Sequence, residues 1–183
     1  MGEIRGTPEV LFLIAVFSRH QTIHDQARRL AETEFGPIEL ECKPFLVDQF
    51  TYYYAKSMGT GLTKTIWAFR DLFDPGKLAE VKRLTNAWEE QFTASSEYPE
   101  ERPLNLDPGY LDLGKLVLAS TKDHGHRIYL QQGIFAEVTL SYTQKQWTPL
   151  PWSYADYQSG PVVEFLNQCR DDLAKRRKES ATK

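Results

Sequence analysis

The sequence predicts an α+β domain: a ferredoxin-like β-α-β-β-α-β core extended by a helix, a β-hairpin and a C-terminal helix. Three observations carry this. Apolar residues switch between a period of two and a period near 3.6, in the order strand, helix, strand, strand, helix, strand. The run Val10 to Phe17 is continuously apolar, as in a strand buried on both faces. Gln131-Gln132-Gly133 sits between two apolar stretches and reads as a hairpin turn. A doubly wound α/β sheet is the alternative, and the hairpins count against it.

The elements follow in order. Thr22 is the expected N-cap of a helix that repeats Ile23, Ala27, Leu30 and Ala31 on one face and stops at Gly36-Pro37. Residues 38–47 read as a second strand, with Ile38, Leu40 and Cys42 on one face. Residues 48–62 lack a period and read as a long ordered loop holding Tyr52, Tyr53 and Tyr54. Residues 63–72 form a third strand. Asp74-Pro75-Gly76 then opens a helix with Leu78, Val81, Thr85, Trp88 and Phe92 as its stripe.

A polar connector leads to a short strand over 103–106. Asp107-Pro108-Gly109 repeats the helix opening, so residues 110–121 are expected as a buried helix. The hairpin pairs 127–130 with 134–142. A three-residue loop puts Ile128 and Leu130 on the face of Ile134, Ala136 and Val138, and sets Arg127 opposite Glu137 on the other. Trp147 to Trp152 reads as a cover over the core. Residues 161–177 form the last helix, burying Val162, Phe165, Leu166, Cys169 and Leu173. In domain terms, residues 1–9 read as a flexible N-terminus, 10–175 as one domain and 176–183 as a basic flexible tail.

Composition excludes several function classes. The net charge of −3 argues against broad nucleic-acid binding. The one basic run, Lys175-Arg176-Arg177-Lys178 with Lys183 beyond it, suits a solvated helix end. The two cysteines, Cys42 and Cys169, form no CxxC pair, which argues against zinc. Residues 1–9 have no apolar core of the kind a signal peptide needs, and the longest apolar run is too short to span a bilayer. A cytoplasmic protein with reduced thiols is expected.

No phosphate loop, GxGxxG, HExxH or GxSxG motif occurs, so no catalytic residue or cofactor is assigned. The densest polar segment is Lys122-Asp123-His124-Gly125-His126-Arg127. As a ligand site, Lys122 and Arg127 would bind phosphate or carboxylate, His126, or as second choice His124, would exchange protons, and Asp123 would orient the histidine or hold a hydrated Mg²⁺. Asn105, Asp107 and Glu137 complete the polar set, and Tyr53 and Tyr54 offer a stacking platform. Structural roles compete at each position: Asp107 as an N-cap, Lys122 at a helix end, Arg127 paired with Glu137. His124, His126 and Asp123 as metal ligands is a weaker reading, because spacing fixes no further ligand. His20 and His24 read as surface or capping residues. The expected partner is an anionic metabolite or nucleotide. The alternative is a non-catalytic interaction module, a homodimer through the hairpin or the aromatic segment.

The blocks Asn105-Leu106-Asp107-Pro108-Gly109-Tyr110, Thr121-Lys122-Asp123, His126 to Leu130, and Glu137-Val138-Thr139-Leu140 resemble the bacterial family called domain of unknown function 4416. Phe35-Gly36-Pro37, Tyr53-Tyr54, Met58-Gly59, Leu150-Pro151-Trp152 and Asp156-Tyr157 fit the same pattern. The resemblance covers nearly the whole chain but implies no activity. A GTP-binding label attached to some members has no matching motif here. The pattern implies Glu where Ser57 stands and Glu near Arg70, and often a basic residue at His124.

Overall fold

The computed structural model describes residues 2–3, 6–95 and 97–181. Met1, Ile4 and Arg5 of the N-terminal segment and Thr182 and Lys183 of the expected tail lie outside them. The apolar run forms β1 (Val10–Ser18), buried on both faces as its sequence predicts. Leu11, Leu13, Ala15 and Phe17 enter one layer, and Phe12, Ile14 and Val16 the other. α1 (Gln21–Phe35) starts after His20 rather than Thr22 and ends at Gly36, whose φ of 83° favours glycine. His24, expected at the surface, is buried on this helix, and burial lowers its pKa.

The expected second strand is two: β2 (Ile38–Glu41) and β3 (Phe45–Leu46), with Pro44 between them. A register shift after Ile38 sends Ile38 and Leu40 to opposite layers, so the expected common face is lost. The loop region carries the short helix α2 (Ala55–Met58) and leads into β4 (Thr63–Phe73). Asp74 accepts from the Gly76 amide at 2.9 Å and opens a tight turn into α3 (Leu78–Ala94). Leu78, Val81, Thr85 and Trp88 of its stripe are buried.

The second Asp-Pro-Gly does not open a helix. Residues 105–120 are a hairpin of β5 (Asn105–Asp112) and β6 (Lys115–Ser120). Leu116 and Leu118 enter one layer and Val117 and Ala119 the other, so both faces are apolar and the period of two is hidden. The C-terminal hairpin joins β7 (Ile128–Gln131) to β8 (Ile134–Thr143) by two residues, not three, with Gln132 and Gly133 at φ 52° and 77°. A register shift between Tyr129 and Gln131 offsets the missing loop residue, so Ile128 pairs with Ala136 and Arg127 still meets Glu137. Ile128 and Leu130 are nonetheless 74% and 40% exposed, contrary to expectation, because β7 is an edge strand with no layer over it. β9 (Gln146–Pro149) adds to β8 from within the expected aromatic cover, and buries Trp147. α4 (Gly160–Ala181) buries all five expected residues and continues helically through Arg176 to Ala181, over most of the expected flexible tail.

The strands form one antiparallel sheet in the order β2-β4-β1-β5-β6-β8-β7, with β3 on β4 and β9 on β8. α1 and α3 pack on one face, and α4 on the other. The described residues therefore form a mixed helix and strand structure around a nine-stranded antiparallel sheet. Among the described residues no helix is long and apolar enough to cross a membrane.

Candidate functional site: a fork in the sheet

The site exists because two neighbouring strands part. β5 pairs with β1 along Asn105 to Leu111, but with β6 only from Gly109 to Asp112. Ahead of Gly109 the edge of β5 that faces β6 is open. Buried backbone groups there need other partners, and α3 supplies them. Glu89 accepts from the Leu106 amide at 2.7 Å, and the Lys82 ammonium donates to the Leu106 carbonyl at 2.7 Å. Pro108 lies in the same open stretch, where its missing N–H removes no ladder bond.

Around this fork the charges interlock. Lys82 also reaches Asp107 at 3.3 Å, Asn105 donates to Asp107 at 2.8 Å, and Arg102 bonds Glu89 at 2.8 Å as well as Asn105. Burial pushes the Glu89 carboxyl above its ordinary range, against the pull of Lys82 and Arg102. Burial acts the same way on Asp107, but Lys82, Lys64, the Asn105 hydrogen bond and Arg102 together outweigh it and hold that carboxyl below the ordinary range. The two acids of the fork are thus pushed in opposite directions.

Two lobes open from it. A polar lobe of about 900 Å³ runs along α3 and past Ser57, Arg102, Asn105, Glu137 and Lys122. An aromatic lobe of about 450 Å³ lies over Lys64 and Asp156. Tyr53, Tyr54, Asp107, Lys122, Arg127 and Tyr154 line both. Lys122 stands exposed at the rim and donates to the Tyr53 hydroxyl at 3.0 Å, which lowers the pKa of that phenol. Tyr54 packs edge-on to Tyr53 at 5.2 Å and against Phe17 at 5.6 Å, and burial raises its pKa.

Seven of the nine residues singled out by sequence therefore meet at one cleft: Tyr53, Tyr54, Asn105, Asp107, Lys122, Arg127 and Glu137. Two do not. The His126 ring stacks on Trp152 at 4.9 Å and bonds Glu137 at 3.0 Å, outside the lining. Asp123 stays on the exposed turn. Arg127 lines the cleft with its bonds already made: Glu137 at 2.7 Å, Ser120 at 2.7 Å, the Lys122 carbonyl at 3.0 Å and the Tyr154 hydroxyl at 3.1 Å. Asp107 is not a helix cap, because no helix follows it. His124 lines the aromatic lobe, and among the described residues no three His, Cys, Asp or Glu side chains form a metal-ligand group. Of the two positions where the family pattern implies an acid, Ser57 lines the polar lobe and Arg70 pairs with Glu39 on the surface.

Several site residues were missed. Lys82 and Glu89 sit seven apart within the buried stripe of α3, a charged repeat on an apolar face that was legible. Lys64 shares the inward face of Ile66 and Ala68, and the period of two carries that signal. Arg102 lies in an irregular segment, and Asp156 and Tyr157 in a single short 3-10 turn (Ala155–Gln158), too short to carry a periodic signal.

This fold and site define an α+β protein with a charged, forked cleft fed from both faces of its sheet. The chain belongs to the family described as Domain of unknown function (DUF4416), whose pattern matches residues 8–173. No curated protein and no solved structure matches it.

Proposed function

We propose that the protein binds a small anionic metabolite or nucleotide in the forked cleft, with Lys122 as the anion contact. The position of Lys122 carries this reading. Most cations of the cleft have a carboxylate: Lys64 has Asp156, Lys82 has Asp107, Arg102 has Glu89 and Arg127 has Glu137. Among the described residues Lys122 meets the Tyr53 hydroxyl and no carboxylate. An anion at Lys122 gains a charge-assisted bond without breaking a buried pair. Arg127 and Glu137 hold the rim that presents it, and His126 braces Glu137 from behind.

A thermal-shift series with nucleotides, sugar phosphates and divalent metals tests this. At least one anion should raise the midpoint by mass action. Lys122→Ala should leave the unliganded midpoint unchanged and weaken that anion roughly ten-fold or more. Equal shifts in both proteins, or no shift from any compound, would sink the reading.

A second reading rests on β7. Ile128, Tyr129 and Leu130 are exposed on an edge strand, a feature that invites pairing with another strand. As a homodimer module, the protein would sediment as a dimer, and Ile128→Lys with Leu130→Lys would return it to monomer. A wild-type monomer at high concentration rules this out.

We also infer a ferredoxin-like split β-α-β unit in the first half. The order β2-β4-β1-β5, with each neighbour antiparallel, supports it. An experimental structure with β1 anywhere but between β4 and β5 would overturn it.

A further inference from the structure

The aromatic lobe has features that anion binding at Lys122 does not use. Besides His124, two phenylalanines and four tyrosines line it: Phe17, Phe50, Tyr53, Tyr54, Tyr154 and Tyr157. Its inner wall is polar and closed. The Lys64 side chain is 1% exposed, and its ammonium lies 2.5 Å from Asp156 and 3.9 Å from the centre of the Tyr157 ring. The Tyr157 hydroxyl is buried and has no hydrogen-bond partner among the described residues. Burial raises the Tyr157 pKa well above its ordinary value, so this group is a neutral O–H at physiological pH. Buried hydroxyls are normally paired, and Tyr157 is one of the residues that line the lobe, so its hydroxyl is a hydrogen-bonding capacity that the described residues leave unused beside it.

Resting on the anion reading above, we propose that the aromatic lobe seats a planar heterocycle, which makes the ligand a nucleoside phosphate. The ring stacks against the exposed tyrosines, and one of its edge heteroatoms pairs with the Tyr157 hydroxyl. Three observations converge on this class. A mostly apolar slot with a few fixed polar groups is the usual form of a ring-binding site, and about 450 Å³ falls within the usual range for small-molecule pockets. Aromatic faces stack on any nucleobase. Asp107 and Lys122 line both lobes, so a ring in the aromatic lobe brings its sugar and phosphate to them. The Asp107 carboxylate, 28% exposed and held ionised, is an acceptor for a sugar hydroxyl.

Titration calorimetry with the four ribonucleoside monophosphates and with ribose 5-phosphate separates this proposal from the one it rests on. At least one monophosphate should bind roughly ten- to a hundred-fold more tightly than ribose 5-phosphate, the contribution of stacking. Tyr157→Phe removes one oxygen; it should weaken that monophosphate roughly ten-fold and leave ribose 5-phosphate unchanged. Tyr53→Ala, at a site 70% exposed and free of core packing, should also lose the preference for the ring. If ribose 5-phosphate binds as tightly as every monophosphate, or if Tyr157→Phe changes nothing, the ring proposal fails while the anion reading stands. If none of the five binds, the ring proposal fails and the thermal-shift series decides the anion reading; if Lys122→Ala leaves all five affinities unchanged, both fail.

Discussion

Replacing Gly109 by Ala is expected to destabilise the protein by about 3 kcal/mol, a large effect for a single methyl group. Gly109 pairs with Leu118 at the vertex where β5 and β6 part. A Cβ at that position would lie 2.3 Å from the Val117 carbonyl oxygen and 2.6 Å from a Leu118 methyl carbon. The first obstacle is backbone, which cannot rotate away. The glycine is there for close approach, not for an unusual dihedral. Relief therefore means moving β5 off β6, which also disturbs Asp107 and the cleft. Gly114→Ala is the control: its Cβ would meet nothing within 4 Å, so a change within about 0.5 kcal/mol is expected. Urea unfolding of both variants checks this, read as a midpoint change at constant slope. A Gly109→Ala protein as stable as the control would mean that the strands do not close at this residue.

The same residue shows why the sequence misleads here. Asp74-Pro75-Gly76 and Asp107-Pro108-Gly109 are identical tripeptides, and only the first opens a helix. Local chemistry fits both outcomes. What differs is the neighbour: Pro108 sits beside β1 at Ile14, and its missing N–H falls in the open fork. That is tertiary information. By contrast, β1 was legible as an unbroken apolar run, and α1, α3 and α4 because each carries a long apolar stripe of helical period. The site was legible where charged residues cluster in sequence, as at Lys122 to Arg127. It was hidden where single charges from distant elements meet, as Lys64 and Asp156 do across 92 positions. The Arg127–Glu137 pairing was anticipated from a three-residue loop; the actual two-residue loop with a register shift yields the same pairing. Cross-strand chemistry fixed that register more firmly than turn length did.

Asp156→Ala is expected to cost about 3–5 kcal/mol, the usual penalty for leaving a buried charge unpaired. Lys64 is on a central strand with its side chain 1% exposed, and Asp156 is the carboxylate that meets it. The rings of Phe17 and Tyr157, at 4.4 Å and 3.9 Å from the ammonium, offer cation–π attraction, which does not replace an ionic partner in a desolvated site. The reverse change, Lys64→Met, should cost less, because the Asp156 side chain is 11% exposed and reaches water more easily. Replacing both, Lys64→Met with Asp156→Leu, should recover most of the loss, since an apolar pair of similar volume avoids desolvating two ions. Unfolding free energies of the three variants measure this coupling directly. If the double variant is as unstable as Asp156→Ala, the pair is held by packing and not by charge. If instead it regains stability but binds no nucleoside monophosphate, the ions are kept at the inner wall of the aromatic lobe for the ligand, at some expense to the fold.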